Sequence, residues 1–275
     1  MNTPYISILF GAMLFGLITG SCQKMERPEM NIIPDDTARI NGPLQLYIPF
    51  EESLDDSAQY NKAVEAGSFS FIEGPHGKAY KGSTNSYIQY PLPQKLADAE
   101  SFTISFWLNT SKHTGGAQGI FALPNTTDFW GNIFAIIEGN DSPTDNSMLL
   151  KFAFLGNWIE FNGNNGVARL PDMYGKWKHL AFSYDARTSR FSAYLDGEQI
   201  NLPESITNRM KDGKPLGPLK LISPSRFVIG GFQQHIGVQG TPDSWMLTYN
   251  GGLDQFRVYT KALTTAEIKN VYSQR

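Results

Sequence analysis

Regular alternation of apolar and polar side chains constrains this chain's fold more than any other feature of its sequence. Apolar residues occupy every second position in four segments, 44–50, 102–108, 180–184 and 191–195, which is the spacing of a β-strand with one buried face. Turn sequences such as Asp196-Gly197, which suits a two-residue hairpin, separate the segments. Strands at this density, without intervening helices, predict an all-β antiparallel β-sandwich of two sheets. Five further strand candidates lie at 86–90, 132–138, 148–155, 226–232 and 253–259.

One short helix is predicted at the C-terminal end. Thr264 is followed three residues later by Glu267, the arrangement of a capping box that begins a helix. The apolar residues nearby would form its buried side, so we expect the helix to lie over the sandwich. They are Leu263, Ile268, Val271 and Tyr272.

The N-terminal region predicts export and a lipid anchor. Residues 5–18 form an apolar run of signal-peptide length that ends in TGSC, and Cys22 is the single cysteine of the chain. This ending resembles the lipobox of bacterial lipoproteins, which implies cleavage before Cys22 and acylation of that residue. We therefore expect a signal peptide at 1–21, a flexible tether at 22–43 and a folded domain at 44–275. An ordinary cleaved signal and an uncleaved anchor remain alternatives.

This resemblance implies an outer-membrane lipoprotein, facing the periplasm or the cell surface, that touches the membrane through its lipid alone. The formal net charge is −3, and no block of Lys or Arg stands out. A nucleic-acid partner is therefore not expected.

Five segments in order resemble the laminin-G-like branch of the concanavalin A-like lectin/glucanase superfamily. They are LYIPFEESLDD (46–56), GKAYKGSTNSYIQYP (77–91), SFTISFWLN (101–109), WKHLAFSYDARTSRFSAYLDGE (177–198) and YNGGLDQFRVYTKALTTAEIKNVY (249–272). The resemblance implies a concanavalin A-like jelly roll. It says much less about function, because this fold carries lectins, adhesion modules, enzymes and spacers.

No catalytic residues are predicted. Laminarinase-type members of the superfamily carry alternating carboxylates on one strand, in a pattern like Glu-x-Asp-x-x-Glu, and the chain lacks this spacing. Glu138 and Asp141 lie at the end of a strand, and Glu160 stands alone between apolar neighbours. A glycoside hydrolase that assembles its acidic pair from distant segments remains the least favoured alternative.

A structural Ca²⁺ site is implied by the resemblance, at the positions of Glu51 in the first family segment and Asp254 in the last. Carboxylates and loop carbonyls are ligands that suit a hard cation, and Asp55 and Asp56 could supplement them. The alternative is that Glu51 and Asp254 only accept hydrogen bonds from loop backbone groups.

Aromatic residues outside the family strands predict a carbohydrate site. Trp130, Trp158, Trp245 and Tyr249 each lie close to Asn, Asp, Gln or Gly in the sequence. A flat ring can contact the C–H face of a sugar while amides and carboxylates bind its hydroxyls. The alternative is that these rings pack against the ends of the sandwich. The sequence thus favours a non-catalytic carbohydrate-binding surface lipoprotein that captures a glycan, with an interaction module for an envelope or host protein as the alternative.

Overall fold

A computed structural model describes residues 41–274, and nearly all of its regular structure is β-strand. Three short helices interrupt the strands: α1 (Gln94–Ala97), α2 (Glu204–Thr207) and α3 (Thr265–Ser273). The strands are β1 (Leu44–Ile48), β2 (Val64–Ala66), β3 (Ser70–Glu73), β4 (Lys78–Lys81), β5 (Tyr87–Pro91), β6 (Phe102–Asn109), β7 (Ala117–Leu123), β8 (Ile133–Glu138), β9 (Leu150–Phe154), β10 (Asn157–Phe161), β11 (Lys178–Asp185), β12 (Arg190–Leu195), β13 (Glu198–Gln199), β14 (Met210–Lys211), β15 (Lys214–Pro215), β16 (Arg226–Ile229), β17 (Met246–Thr248) and β18 (Gly252–Tyr259).

Two eight-stranded sheets form the body. The first sheet has the order β13-β12-β11-β6-β18-β4-β3, with β1 also paired to β18. The second has the order β10-β9-β8-β7-β16-β5-β2, with β17 added beside β7. All pairings within these sheets are antiparallel except that of β17 with β7. The predicted two-sheet jelly-roll sandwich is confirmed.

The main core lies between the sheets and is rich in aromatic rings. Phe152 of the second sheet stacks on Phe182 of the first, with ring centroids 4.4 Å apart. The ring of Phe106 in β6 also meets that of Phe121 in β7 edge to face across the two sheets, with centroids 5.9 Å apart. Packing of the two inner faces against each other, with apolar side chains alternating along each strand, is the arrangement expected of a β-sandwich.

Helix α3 covers part of the outer face of the first sheet. Thr264 Oγ1 accepts a hydrogen bond from the Glu267 N–H at 3.2 Å, and Glu267 accepts one from the Thr264 N–H at 2.8 Å. These bonds form the predicted capping box. Ile268 and Val271 are buried in a cluster with Ala181 of β11. The predicted closing helix is therefore confirmed.

The predicted hairpin turn at Asp196-Gly197 is also present, between β12 and β13. Both residues have positive φ angles, 50° and 79°, as the tight two-residue turn requires. Among residues 41–274, no helix is long and apolar enough to cross a membrane. The predicted signal peptide, Cys22 and almost all of the tether at 22–43 lie outside the described residues, so these assignments stay predictions.

Candidate functional site

The outer face of the second sheet, opposite the main core, carries a separate apolar cluster. Strands β8, β9 and β10 are neighbours, and their register aligns Phe134, Ala153 and Trp158 in one row. Because Ala153 is small, the rings of Phe134 and Trp158 approach each other over it, with centroids 5.1 Å apart. A large aromatic surface therefore forms on the side of the sheet that does not face the core.

Three of the tryptophans selected from the sequence converge on this surface. Trp130 stacks on Phe134 at 5.3 Å and meets the edge of Trp158 at 4.9 Å. The ring of Trp245 lies 6.1 Å from that of Trp130. All three indoles are half-buried. We name Trp130, Trp158 and Trp245 the tryptophan platform.

The platform combines one strand residue with two loop residues. Trp130 and Trp245 lie outside the strands, as the sequence indicated, whereas Trp158 lies within β10. Strand β10 was not among the strands predicted from the sequence. Ile159 and Phe161, which follow Trp158 and belong to the main core, are fully buried. Alternation with the half-buried Trp158 and Glu160 is the pattern of a strand with one face in the core.

Hydrogen bonds hold the loop of Trp130 in place. The Trp130 N–H donates to Asp128 Oδ1 at 2.8 Å. Gln233, in a 3₁₀ turn at Gln233–Ile236, donates through Nε2 to the carbonyls of Asp128 and Phe129 at 2.7 and 2.8 Å. Gln233 is 2% exposed, so this connection is shielded from water. The loop of Trp130 is thus held in place without a ligand, which reduces the ordering cost of binding.

Two depressions meet at the platform. The smaller, of about 430 Å³, lies beside Trp245 and is lined also by Ile136 and three charged side chains. The larger, of about 740 Å³, extends toward the β14–β15 hairpin and the segment at 216–222. Trp130 and Trp158 line both depressions. The two indoles therefore form a ridge across which an extended ligand could lie.

The three charged side chains of the smaller depression form a linked group. Lys151 Nζ lies 2.7 Å from Glu138 Oε1 and 3.5 Å from Glu160 Oε1. Burial lowers the pKa of Lys151, but hydrogen bonding and the charges of Glu138 and Glu160 outweigh burial and raise it above its ordinary value. The ammonium therefore stays charged at neutral pH. We name Glu138, Lys151 and Glu160 the charged triad.

The charged triad was missed in the sequence because its members come from three different strands. The available signal was weak: Glu160 and Trp158 alternate on one face of β10, and Lys151 occupies the same face of β9. Only the strand order shows that Glu138, which was assigned to a strand end, belongs beside them.

Tyr249 does not belong to the platform. Its side chain is 0% exposed, and its hydroxyl donates toward the carbonyls of Asn109 and Gly252, each at 3.2 Å. Burial raises the pKa of this phenol far above its ordinary value. A side chain without exposed surface offers a ligand nothing to contact, so the expectation that Tyr249 binds sugar is corrected.

Glu51 and Asp254 both reach the loop at 74–77. Asp254 Oδ2 accepts a hydrogen bond from the His76 N–H at 3.2 Å, and Glu51 Oε2 accepts one from the Lys78 N–H at 2.9 Å. The loop can approach so closely because Gly77 lacks a side chain: a Cβ there would lie 2.4 Å from Glu51 Oε2. Hydrogen bonding to backbone N–H groups, the alternative to Ca²⁺ binding, is thus present for one oxygen of each carboxylate: Asp254 bonds to the loop, and Glu51 bonds to Lys78, the first residue of β4.

The remaining oxygen of Asp254 suits a cation. Oδ1 is buried and has no hydrogen-bond partner of good geometry among the described residues. Burial raises the pKa of Asp254 to about 7, and the charge of Glu51 adds to this effect. A divalent cation would compensate the buried negative charge, so the residues fit Ca²⁺. Residues 41–274 contain no cluster of three or more His, Cys, Asp or Glu side chains around a common point, so such an ion would also need carbonyl or water ligands.

A double-sheet jelly roll is an architecture that lectin domains share with proteins of other functions. The Laminin_G_3 family model, described as the concanavalin A-like lectin/glucanases superfamily, matches residues 82–269. The chain therefore belongs to this superfamily, as the sequence resemblance implied.

Curated relatives include neuronal pentraxins. Neuronal pentraxin-2 of Cavia porcellus is 26% identical over 224 residues, which cover 80% of this chain and 45% of the relative. Neuronal pentraxin-1 of Rattus norvegicus is 25% identical over 189 residues, covering 68% of this chain and 37% of the relative. The chain thus spans less than half the length of these relatives.

Similar solved structures come from bacterial proteins that bind other molecules. Domain 4 of AbnA, a GH43 extracellular arabinanase of Geobacillus stearothermophilus solved with arabinotriose, has a TM-score of 0.51 and 19% identity, covering 84% of this chain and 98% of that chain. The receptor binding domain of botulinum neurotoxin mosaic serotype C/D has a TM-score of 0.56 and 14% identity, covering 85% of this chain and 51% of that chain. At these identities the likeness shows the fold alone.

Proposed function

We propose that this protein is a non-catalytic carbohydrate-binding protein that captures a glycan on the tryptophan platform. The observation that carries the proposal is the convergence of Trp130, Trp158 and Trp245 on one outer face. In the sequence the first and last of them are more than one hundred residues apart, so their meeting is not a consequence of local structure.

The surroundings of the platform suit a sugar. Half-buried indoles supply flat apolar surface, and the adjacent charged triad supplies hydrogen-bond donors and acceptors for hydroxyl groups. The smaller depression is open to solvent, which favours a ligand that keeps part of its surface in water. Such sites give modest affinity for each sugar unit. The arabinanase domain solved with arabinotriose supports the proposal, because it has the same fold and carries a sugar.

The test is titration of the purified folded domain against a broad glycan panel, followed by calorimetry with the glycans that bind. Trp158→Ala should weaken binding about tenfold or more, because ring contacts worth about 1.4 kcal/mol give that factor. Trp177→Ala is the matched control: Trp177 lines neither depression and lies near Gly252 of the first sheet. Equal losses in both variants, or no binding to any glycan, would contradict the proposal.

A protein-interaction module is the second candidate. The neuronal pentraxin relatives and a similar neurotoxin binding domain solved with rat synaptotagmin II favour it. The larger depression also carries exposed apolar side chains, Met210 at 50% and Ile222 at 49% exposure. Recovery of one envelope protein whose binding is abolished by Ile222→Asp, without any glycan binding, would favour this candidate over the first.

We also propose that Glu51 and Asp254 hold a structural Ca²⁺ that joins the first and last strands to the loop at 74–77. The buried, unpartnered Asp254 Oδ1 supports this assignment. The ion would supply charge compensation and stability, and no step of glycan capture needs it.

For the location, the proposal is an outer-membrane lipoprotein anchored through acylated Cys22. It rests on the sequence around that residue alone. Such an anchor would keep the platform at the cell envelope, where a captured glycan could be passed to other proteins.

A further inference from the structure

We propose that the charged triad makes the smaller depression select uncharged glycans and exclude those that carry carboxylate or sulfate groups. This inference rests on the proposed function and names the substrate class of the same site. It concerns residues of the outer face that the sequence did not single out together.

The geometry of the triad places two negative charges and one positive charge in a small space. Lys151 Nζ is within 2.7 Å of one carboxylate and 3.5 Å of the other, so the nearest oxygens of Glu138 and Glu160 lie no more than about 6 Å apart. The formal charge of the group is −1. Because the charge of the single ammonium is already offset by the two carboxylates, it retains a donor for a hydroxyl group but adds little net attraction for an acidic sugar.

The triad lies where a bound sugar would touch it. Glu138, Lys151 and Glu160 line the same depression as all three platform indoles. Their side chains are 30%, 28% and 38% exposed, so each presents polar atoms to the depression while its stem is held by neighbours. A sugar stacked on Trp158 would sit beside Glu160, since both residues lie on one face of β10.

The polar atoms of the charged triad interact favourably with hydroxyl substituents of a sugar and unfavourably with acidic ones. A hydroxyl group can donate to a carboxylate oxygen and accept from the ammonium. Neutral sugars can therefore form hydrogen bonds with the triad while its ion pairs stay intact. A uronate or sulfate can donate nothing to the carboxylates and is repelled by the excess negative charge. At separations of several ångströms in a partly exposed site, one extra unit charge changes affinity by about fivefold.

The larger depression has a different charge. Lys211, Lys220 and Asp128 line it, which gives a formal charge of +1. The exclusion of acidic sugars is therefore a property of the smaller depression, and the discriminating residues are Glu138 and Glu160 rather than the platform itself.

The experiment compares a neutral oligosaccharide with its uronate counterpart of the same linkage and length, by calorimetry in low salt. The wild type should bind the neutral member about fivefold or more tightly than the acidic one, and 0.5 M NaCl should reduce this ratio by screening. Glu138→Gln/Glu160→Gln should bring the two affinities together by strengthening the binding of the uronate. Lys151→Gln should have the opposite effect, since it removes the positive charge and makes the formal charge of the group −2 instead of −1.

Single Glu160→Gln provides a second variant if the double variant fails to fold, because Glu160 is the most exposed member of the triad. Equal affinity of the wild type for both sugars would overturn the inference while leaving the proposed function intact. No glycan binding at all would overturn both. Release of reducing ends by the wild type, lost in Glu138→Gln, would also overturn the inference, because the two carboxylates would then act as an acid–base pair.

Discussion

Replacing His179 with Gln should make the domain less sensitive to acid. His179 of β11 is 0% exposed, and its Nε2 is paired with Ser105 Oγ at 2.8 Å. The rings of Trp107 and Tyr272 lie over it, with centroids 5.4 and 5.6 Å away. Protonation of this imidazole in the folded state would place a charge where water cannot reach it.

The surroundings lower the pKa of His179 to about 3. Burial is the largest cause; the positive charges of Arg257 and His76 lower the pKa further, and the negative charge of Asp196 raises it. In the unfolded chain the imidazole titrates near 6.5. Between these values the unfolded chain binds a proton and the folded one does not, so the stability contributed by neutral His179 is lost as the pH falls from about 6.5.

The magnitude follows from the two pKa values. A difference between about 6.5 and about 3, at 1.36 kcal/mol per pH unit, sets an upper limit of about 5 kcal/mol. Between pH 7.5 and pH 4.5 the loss should reach about 2.5 kcal/mol. Asp254, whose pKa is raised to about 7, contributes in the opposite sense over much of this range. The His179 contribution must therefore be taken from the difference between variant and wild type.

The assay is urea unfolding of wild type and His179→Gln at several pH values from 7.5 to 4.5. As the pH falls from 7.5 to 4.5, the free energy of unfolding of the variant should rise by about 2.5 kcal/mol relative to that of the wild type. Ser105→Ala is the control: it removes the partner of Nε2, which should lower stability by about 1 kcal/mol with little dependence on pH. A constant difference between His179→Gln and wild type would refute the reasoning, because it would mean that the folded and unfolded imidazoles titrate alike.

Three further predictions concern the ligand, the metal and the anchor. A tetrasaccharide that spans the ridge of Trp130 and Trp158 should bind at least about tenfold more tightly than the monosaccharide; equal affinities by calorimetry would show that only one depression is used. Saturating Ca²⁺, at about one hundred times its Kd, should stabilise the domain by about 2.7 kcal/mol and raise its Tm by about 5–10 °C, whereas Asp254→Asn should not respond. If the variant responds equally, the ion binds elsewhere. Full-length protein expressed in a Gram-negative cell should fractionate with the outer membrane, and Cys22→Ser should release it; membrane retention of the variant would speak against acylation.

The local elements could be predicted because each depends on residues close together in the chain. The two-residue turn at Asp196-Gly197 needs two positive φ angles, which Asp and Gly adopt readily. The start of α3 needs only Thr264 and Glu267, three residues apart. The alternation of apolar and polar side chains along β6 and β11 could be recognised in the sequence because the outer faces of these strands carry polar residues such as Ser105 and Ser183.

The second sheet was harder to interpret because its middle strands are apolar on both faces. In β8, Ile133, Ala135 and Ile137 face the main core, while Phe134 and Ile136 belong to the outer cluster. Five consecutive buried apolar residues erase the period of two that marks a strand's exposed face. The existence of an aromatic outer surface could therefore not be derived from the pattern of β8.

The sequence by itself determined the sandwich, the order of its family segments, the closing helix and the choice of three tryptophans. Tertiary structure alone decided that these tryptophans meet, that Tyr249 lies in the core, and that Glu138, Lys151 and Glu160 form one group. The physical reason is that alternation specifies which side chains share a face of one strand, whereas the neighbours of that strand are set by hydrogen bonding and packing between segments. These segments are the consecutive strands β8, β9 and β10 for the charged triad, and loops more than one hundred residues apart for Trp130 and Trp245.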